Sequence, residues 1–324
     1  MAKSSHSKLI VIKLVLMAIL FVIIISGISL YVYPKSQRGS FYSPNVENNI
    51  TSNAKEHYIR LADNYLDDDD LSKLYKIDNA EDLLKKFNEE LNEQYDFYEI
   101  TFQAFQSLNA LEIDDKFFKK YGKKKETIKN QKIKINGTLR YVSSLNTIQV
   151  NQRAYDKFLN NISEGRGFQD QDFLFDEKSI PVILGHDYKE YYHIGDIFEL
   201  NYLETDRKME VIGFFKEDIA LRIDDIEYML NTYICSPYFQ IKKSPSTNAE
   251  RIFQLRYYLE KNQGFIQYTI QNTDDYMTDE TMILKDREEA VKKRAAQFGL
   301  DYTILMYPSE IILIDNNKNC CLLY

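Results

Sequence analysis

"IPVILGHDYKEYYHIGDIFELNYLETDRKMEVIGFF", Ile180 to Phe215, is the stretch that decides the fold. "IPVILG" is a continuous apolar run ending at Gly185 and reads as a buried strand. "IFEL" and "MEVIGFF" flank the polar "NYLETDRK" and read as the two arms of a hairpin. Between strand and hairpin, a short helix over His186 to His193 leads to a turn at Gly195–Asp196. In a helix each residue advances about 100°, which places His186, Glu190 and His193 on one face and Tyr188, Tyr191 and Tyr192 on the other. Such a face resembles a zinc or carboxylate-metal site. Reach argues against it. Seven helical residues separate the two histidine Cα atoms by about 10 Å, whereas both imidazoles would have to come within about 2.0–2.1 Å of one ion. The tyrosines supply a core-facing side, so the connection is framework.

Outward from this tract the chain mixes helices and strands. "QRAYDKFLNNI" has helical spacing through Tyr155, Phe158, Leu159 and Ile162, and that helix is expected to stop at Gly165–Arg166–Gly167. After Asn79, "AEDLLKKFNEEL" repeats Leu83, Leu84, Phe87 and Leu91 along one helical face. In "LDDDDLSKLY", Asp69 or Asp70 is expected to cap a short helix, because a calcium loop would need alternating ligands, a central glycine and a distal glutamate. "YDFYEITFQAFQ", Tyr95 to Gln106, reads as one aromatic strand. "QKIKINGTLRYVSSLNTIQVN" alternates around an Asn136–Gly137 turn, with Lys132 and Lys134 opposite in facing to Ile133 and Ile135. "DREEAVKKRAAQFGL" is a helix with Gly299 as its stop, and "DYTILMY" and "EIILI" are short strands. The fold class is α+β.

Four pieces stand in order: "NISEGRGFQDQDF", "IPVILG", "YYHIGDIFEL" and "KMEVIGFF". Their order and spacing resemble the periplasmic core domain of MacB-like ABC transporter permeases, of the FtsX-type family. The matching residues are Gly165, Arg166, Gly167 and Phe168; Pro181, Val182 and Gly185; Gly195 and Asp196; and Val211 and Gly213. The resemblance implies a structural role for these positions, and a two-lobed mixed α/β extracytoplasmic domain over 58–315. Residues from about 200 to 280, including the poorly patterned stretches 219–236 and 254–275, would form its second lobe.

Near the start, Leu14 to Tyr33 is an uncharged apolar run of about 20 residues, long enough at 1.5 Å per residue to cross a hydrocarbon core of about 30 Å. Tyr31 and Tyr33 sit where an interfacial aromatic belt belongs. A cleavable signal peptide with a cut near Ser26–Ser29 is the competing reading. Lys3, Lys8 and Lys13 keep the tail 1–13 in the cytoplasm and send the remainder outside, despite Lys35 and Arg38 beyond the run. A polar stalk or linker is expected over 34–57 and a tail over 316–324. That tail holds Cys320 and Cys321 and reads as a loose end, with lipid attachment as the lesser alternative.

The chain has 324 residues, 44% of them hydrophobic, which is enough for a real core. Its 49 acidic against 41 basic residues argue against a nucleic-acid surface. Three cysteines without a CxxC spacing support neither a zinc ribbon nor a disulfide framework, and no Walker A loop, His-Glu-x-x-His or Gly-x-Ser-x-Gly occurs. The expectation is a single-pass cell-membrane protein that is not an enzyme and holds no cofactor or metal: the extracytoplasmic subunit, or a partial permease, of an ABC transporter. Its partners would be membrane lipid, a multi-span permease, an ABC ATPase, and a peptide or small-molecule substrate. One apolar run encloses no pore, so the chain is either an accessory or split subunit, or a permease cut short before its further membrane helices. The alternative is a single-pass receptor, sensor or immunity protein whose acidic exterior suits a cationic peptide.

Overall fold

In a computed structural model the described residues are 54–65, 67–121, 126–135, 138–174, 179–271 and 276–316. The expected tail 1–13, the apolar run 14–33, most of the linker, and Cys320 and Cys321 lie outside them. Among the described residues no helix is long and apolar enough to cross a membrane.

The first strand, β1 (Ala54–Asp63), begins inside the polar stretch expected to run to 57, so His57 is a buried strand residue and not part of a stalk. Helix α1 (Asp68–Tyr75) is capped by Asp67, whose side chain accepts from the Asp70 backbone N–H; the cap falls two or three residues before the aspartates expected to supply it. Helix α2 (Ala80–Gln94) buries Leu84, Phe87 and Leu91 of the face its periodicity predicts, while Leu83 is only partly covered.

The aromatic segment after α2 is not one strand. It breaks into β2 (Phe97–Tyr98), β3 (Ile100–Thr101) and β4 (Gln106–Ser107). β2 pairs in one sheet, and β3 and β4 pair at separate places in another. Next come a small hairpin, β5 (Lys120–Tyr121) with β6 (Glu126–Thr127), then β7 (Gln131–Ile135), β8 (Thr138–Ser144) and β9 (Thr147–Val150). The following helix spans Gln152–Ala154 and widens into a π-turn at Tyr155–Leu159. It stops there, earlier than expected, because β10 (Ile162–Gly165) is drawn into an edge pairing.

The central tract supplies β11 (Ile180–Leu184), β12 (Ile197–Tyr202) and β13 (Thr205–Phe215). The hairpin arms run further than their apolar cores, and the turn shrinks to Leu203–Glu204. Both turn residues have positive φ, 50° and 64°, which a two-residue turn needs to match strand twist. Then follow β14 (Ile219–Ile223), β15 (Ile226–Met229), β16 (Ile234–Pro237), helix α3 (Asn248–Lys261) and β17 (Phe265–Gln271). The chain continues as helix α4 (Tyr276–Gln297), β18 (Tyr302–Ser309) and β19 (Ile311–Asp315). α4 starts ten residues before the pattern that announced it.

The architecture is α+β. A ten-stranded mixed sheet has the order β3-β9-β16-β11-β13-β12-β4-β8-β7, with β10 also on β13. A four-stranded antiparallel sheet runs β18-β1-β17-β2, and β15-β14-β19 form a third. Residues of the stretch 200–280 serve all three: β16 lies inside the large sheet, β17 inside the second and β14 inside the third. Helices α2 and α3 pack together over a core rich in aromatic rings, with Tyr257 stacked on Phe239 at 4.9 Å.

Candidate functional site

Several of the residues singled out by the central tract pair with or hydrogen-bond to β13. Gly165 (φ +75°) and Gly213 lie across the β10–β13 pair. A Cβ on Gly165 would strike the Ile212 carbonyl, and one on Gly213 the Arg166 carbonyl. Arg166 grips Asp172 with both terminal nitrogens, Nη2 donating to Oδ1 at 3.0 Å, and the Gln169 backbone N–H donates to Asp172 Oδ2 at 2.8 Å. The guanidinium fork thus closes the loop that follows the glycines. Gly167 lies against the Tyr155 hydroxyl, and Phe168 is buried against the Tyr155 and Phe173 rings. Pro181 and Val182 pair in parallel with Glu210 and Val211. Gly185 fits where the backbone of Leu230 and Asn231 passes. Gly195 (φ +89°) donates its N–H to the Val211 carbonyl at 2.8 Å, and Val211 donates to Asp196 O at 2.9 Å. Each of these contacts joins one part of this chain to another.

The connection from His186 to Glu190 is a 3-10 helix, and it ends three residues before His193. His186 rests beside Asp187 (3.6 Å), while His193, its side chain 87% exposed, lies beside Asp196 (3.7 Å). Tyr188 is fully buried and Tyr192 packs on the core, but Tyr191 turns outward, contrary to the expectation of three inward tyrosines. A tighter helix spaces side chains by about 120° and so splits the face that an α-helix would have formed. Beneath Tyr188 and Tyr192 is a cavity of about 150 Å³, bordered by Leu145 and Phe198. Among the described residues no group of three His, Cys, Asp or Glu could hold a metal ion.

Titratable chemistry collects elsewhere, along α3. A cleft of about 100 Å³ is bounded by Tyr75, Gln106, Asn201, Glu204, Arg256 and Glu260. Arg256 crosses it to Glu204 at 2.9 Å. Burial raises the Glu260 carboxyl to about 7, reinforced by Asp63 and opposed by Lys119. Burial also raises Asp63 to about 6 and lowers the Lys119 ammonium to about 8. Lys119 donates to the Phe102 carbonyl. One residue on, Lys261 is buried 3.7 Å from Glu99, donates to the Phe239 carbonyl at 3.2 Å, and is lowered by burial. Asn88 and Asn92 donate to Glu99 at 2.8 and 2.9 Å. The cleft can hold or release protons near neutral pH. Its lining comes from α1, the β4 region, the β12–β13 turn and α3, with Asp63 and Lys119 acting on Glu260 from outside it, and only contact between distant segments reveals the set.

No protein-family model matches the chain, and no curated protein matches it. Two solved structures are similar in outline. One is the extracellular domain of the noncanonic ABC-type transporter YknZ from Gram-positive bacteria, at 13% identity and TM-score 0.33, covering 76% of this chain and 99% of that one. The other is the periplasmic region of MacB from Actinobacillus actinomycetemcomitans, at 13% identity and TM-score 0.33, covering 77% and 87%.

Proposed function

We propose that the chain is a membrane-anchored, non-catalytic extracytoplasmic component of an ABC transporter. The observation that supports this reading is that Gly165, Pro181, Val182, Gly195 and Asp196, in the order the resemblance gives them, all pair with or hydrogen-bond to β13. The apolar run Leu14–Tyr33 supplies the anchor and sets the body outside.

In this reading the partners are a multi-span permease and an ABC ATPase, and the stretch in hand carries no P-loop of its own. The body's task in this reading is to bind partner or substrate and to pass on movement. The test is affinity capture of the full chain from mild detergent extracts of its native membrane. Recovery of a polytopic permease or an ABC ATPase at near-stoichiometric level is expected. Recovery of the chain alone would overturn the reading in favour of a single-pass receptor.

A further inference from the structure

Between Lys116 and Arg140 the chain carries ten of its 41 basic residues and one of its 49 acidic ones, leaving 31 against 48 elsewhere. This basic stretch includes the β7–β8 hairpin, which forms the end of the large sheet. The hairpin's root is fixed: Val142, Ser143 and Ser144 are buried, and Asn130 exchanges hydrogen bonds with Ser143 and Leu111. Its outer part, Thr138 to Tyr141, is exposed. Register places Lys134 opposite Leu139 and Lys132 opposite Tyr141, so these four share one face. Leu139 is 62% exposed, and Lys132 lies over the Tyr141 ring at 5.6 Å. Lys116 and Lys129 are neutralised by Asp187 and Asp115, each at 2.7 Å. Among the described residues no carboxylate pairs with Lys132, Lys134 or Arg140.

We infer that this face docks on the anionic lipid headgroups of the bilayer in which the chain is anchored. Lysines on an edge strand also prevent strand-to-strand aggregation, but that role does not call for an exposed leucine and tyrosine beside them. Cations flanking an apolar side chain and a tyrosine are the combination that settles at a headgroup boundary, where charge meets phosphate and the ring lies at the interface. The rest of the body, strongly acidic, is repelled by the same surface, so the hairpin also sets orientation. The tether permits it. Residues 34–53 can extend to at most about 70 Å, while a body of this size has a radius of gyration of about 18 Å. Any face can therefore reach the bilayer. The inference rests on the anchor reading of Leu14–Tyr33.

The test is acylation of Lys132 and Lys134 by a neutral amine reagent, read by mass spectrometry, on the full chain in vesicles. One set is phosphatidylcholine alone and the other contains phosphatidylglycerol, with Lys73, on α1, as the internal standard. In anionic vesicles both hairpin lysines should react about tenfold more slowly relative to Lys73, with protection lost in high salt and weakened by Leu139→Ser. Equal rates in both vesicles would overturn the inference. So would protection that appears in neutral vesicles only when an acidic partner protein is added. Alkaline carbonate extraction tests the anchor separately. If carbonate releases the chain, flotation of the released chain with anionic but not neutral vesicles still supports hairpin docking, and its absence overturns it.

Discussion

Gly213 shows how little room the central tract allows. Its φ is ordinary, so local backbone preference does not demand glycine there; the Arg166 carbonyl does, by occupying the space a methyl group would fill. Gly165 adds a positive φ to the same constraint. Gly213→Ala is therefore expected to lower stability by about 3 kcal/mol, measured by denaturant unfolding of the full chain in detergent. Gly195→Ala has open space around it and should cost only the backbone strain of a left-handed residue, about 1–2 kcal/mol. The glycines were legible in the sequence as punctuation. That one answers to a neighbouring backbone and another to its own torsion was not, because collision depends on what folds against the residue.

Helix ends show which elements are written locally. The α4 terminus is closed by Leu300 N–H to Ala295 O and Gly299 N–H to Ala296 O, both 3.0 Å, with Gly299 at φ +68°. This is the paired closure a C-terminal glycine makes possible. Gly299→Ala should lower the unfolding midpoint by the equivalent of about 1 kcal/mol, with Gly299→Asn intermediate, since nothing crowds the position. The helix's stop was readable from "FGL", whereas its start at Tyr276 was not, its early turns having no clear apolar stripe. The segment Tyr95–Gln106 fails differently: its aromatic residues correctly signal strand, but successive pieces of it meet different partners. Pattern specifies a buried face and leaves the neighbour open.

For the whole molecule, three buried groups around α3 set a pH dependence. Asp63 and Glu260 hold protons in the folded state that they release at about 3.8 and 4.5 when unfolded, so stability falls as pH rises through about 6 and 7. Lys119 works the other way. Its folded ammonium titrates near 8 against 10.5 unfolded, so stability recovers as pH rises from about 8 towards 10.5. These three groups place a stability minimum between about pH 7 and 8, to be seen in unfolding midpoints measured at pH 5, 7.5 and 10. Glu260→Gln should stabilise the protein by about 2 kcal/mol at pH 7.5 and change little at pH 4.5. A flat profile in both proteins would mean that water reaches the cleft freely.

The sequence by itself determined the α+β class, the buried face of α2, the β12–β13 hairpin and the apolar run at the start, since each depends on residues within a turn or two of one another. Only the tertiary structure decided that β16 inserts between β9 and β11, that His57 is interior, and that Asp63 and Lys119 come near enough to Glu260 to shift its proton affinity. Strand neighbours and proton affinities are set by groups far apart in the chain. Periodicity says which side of an element is dry; it carries no information about which distant element makes it so.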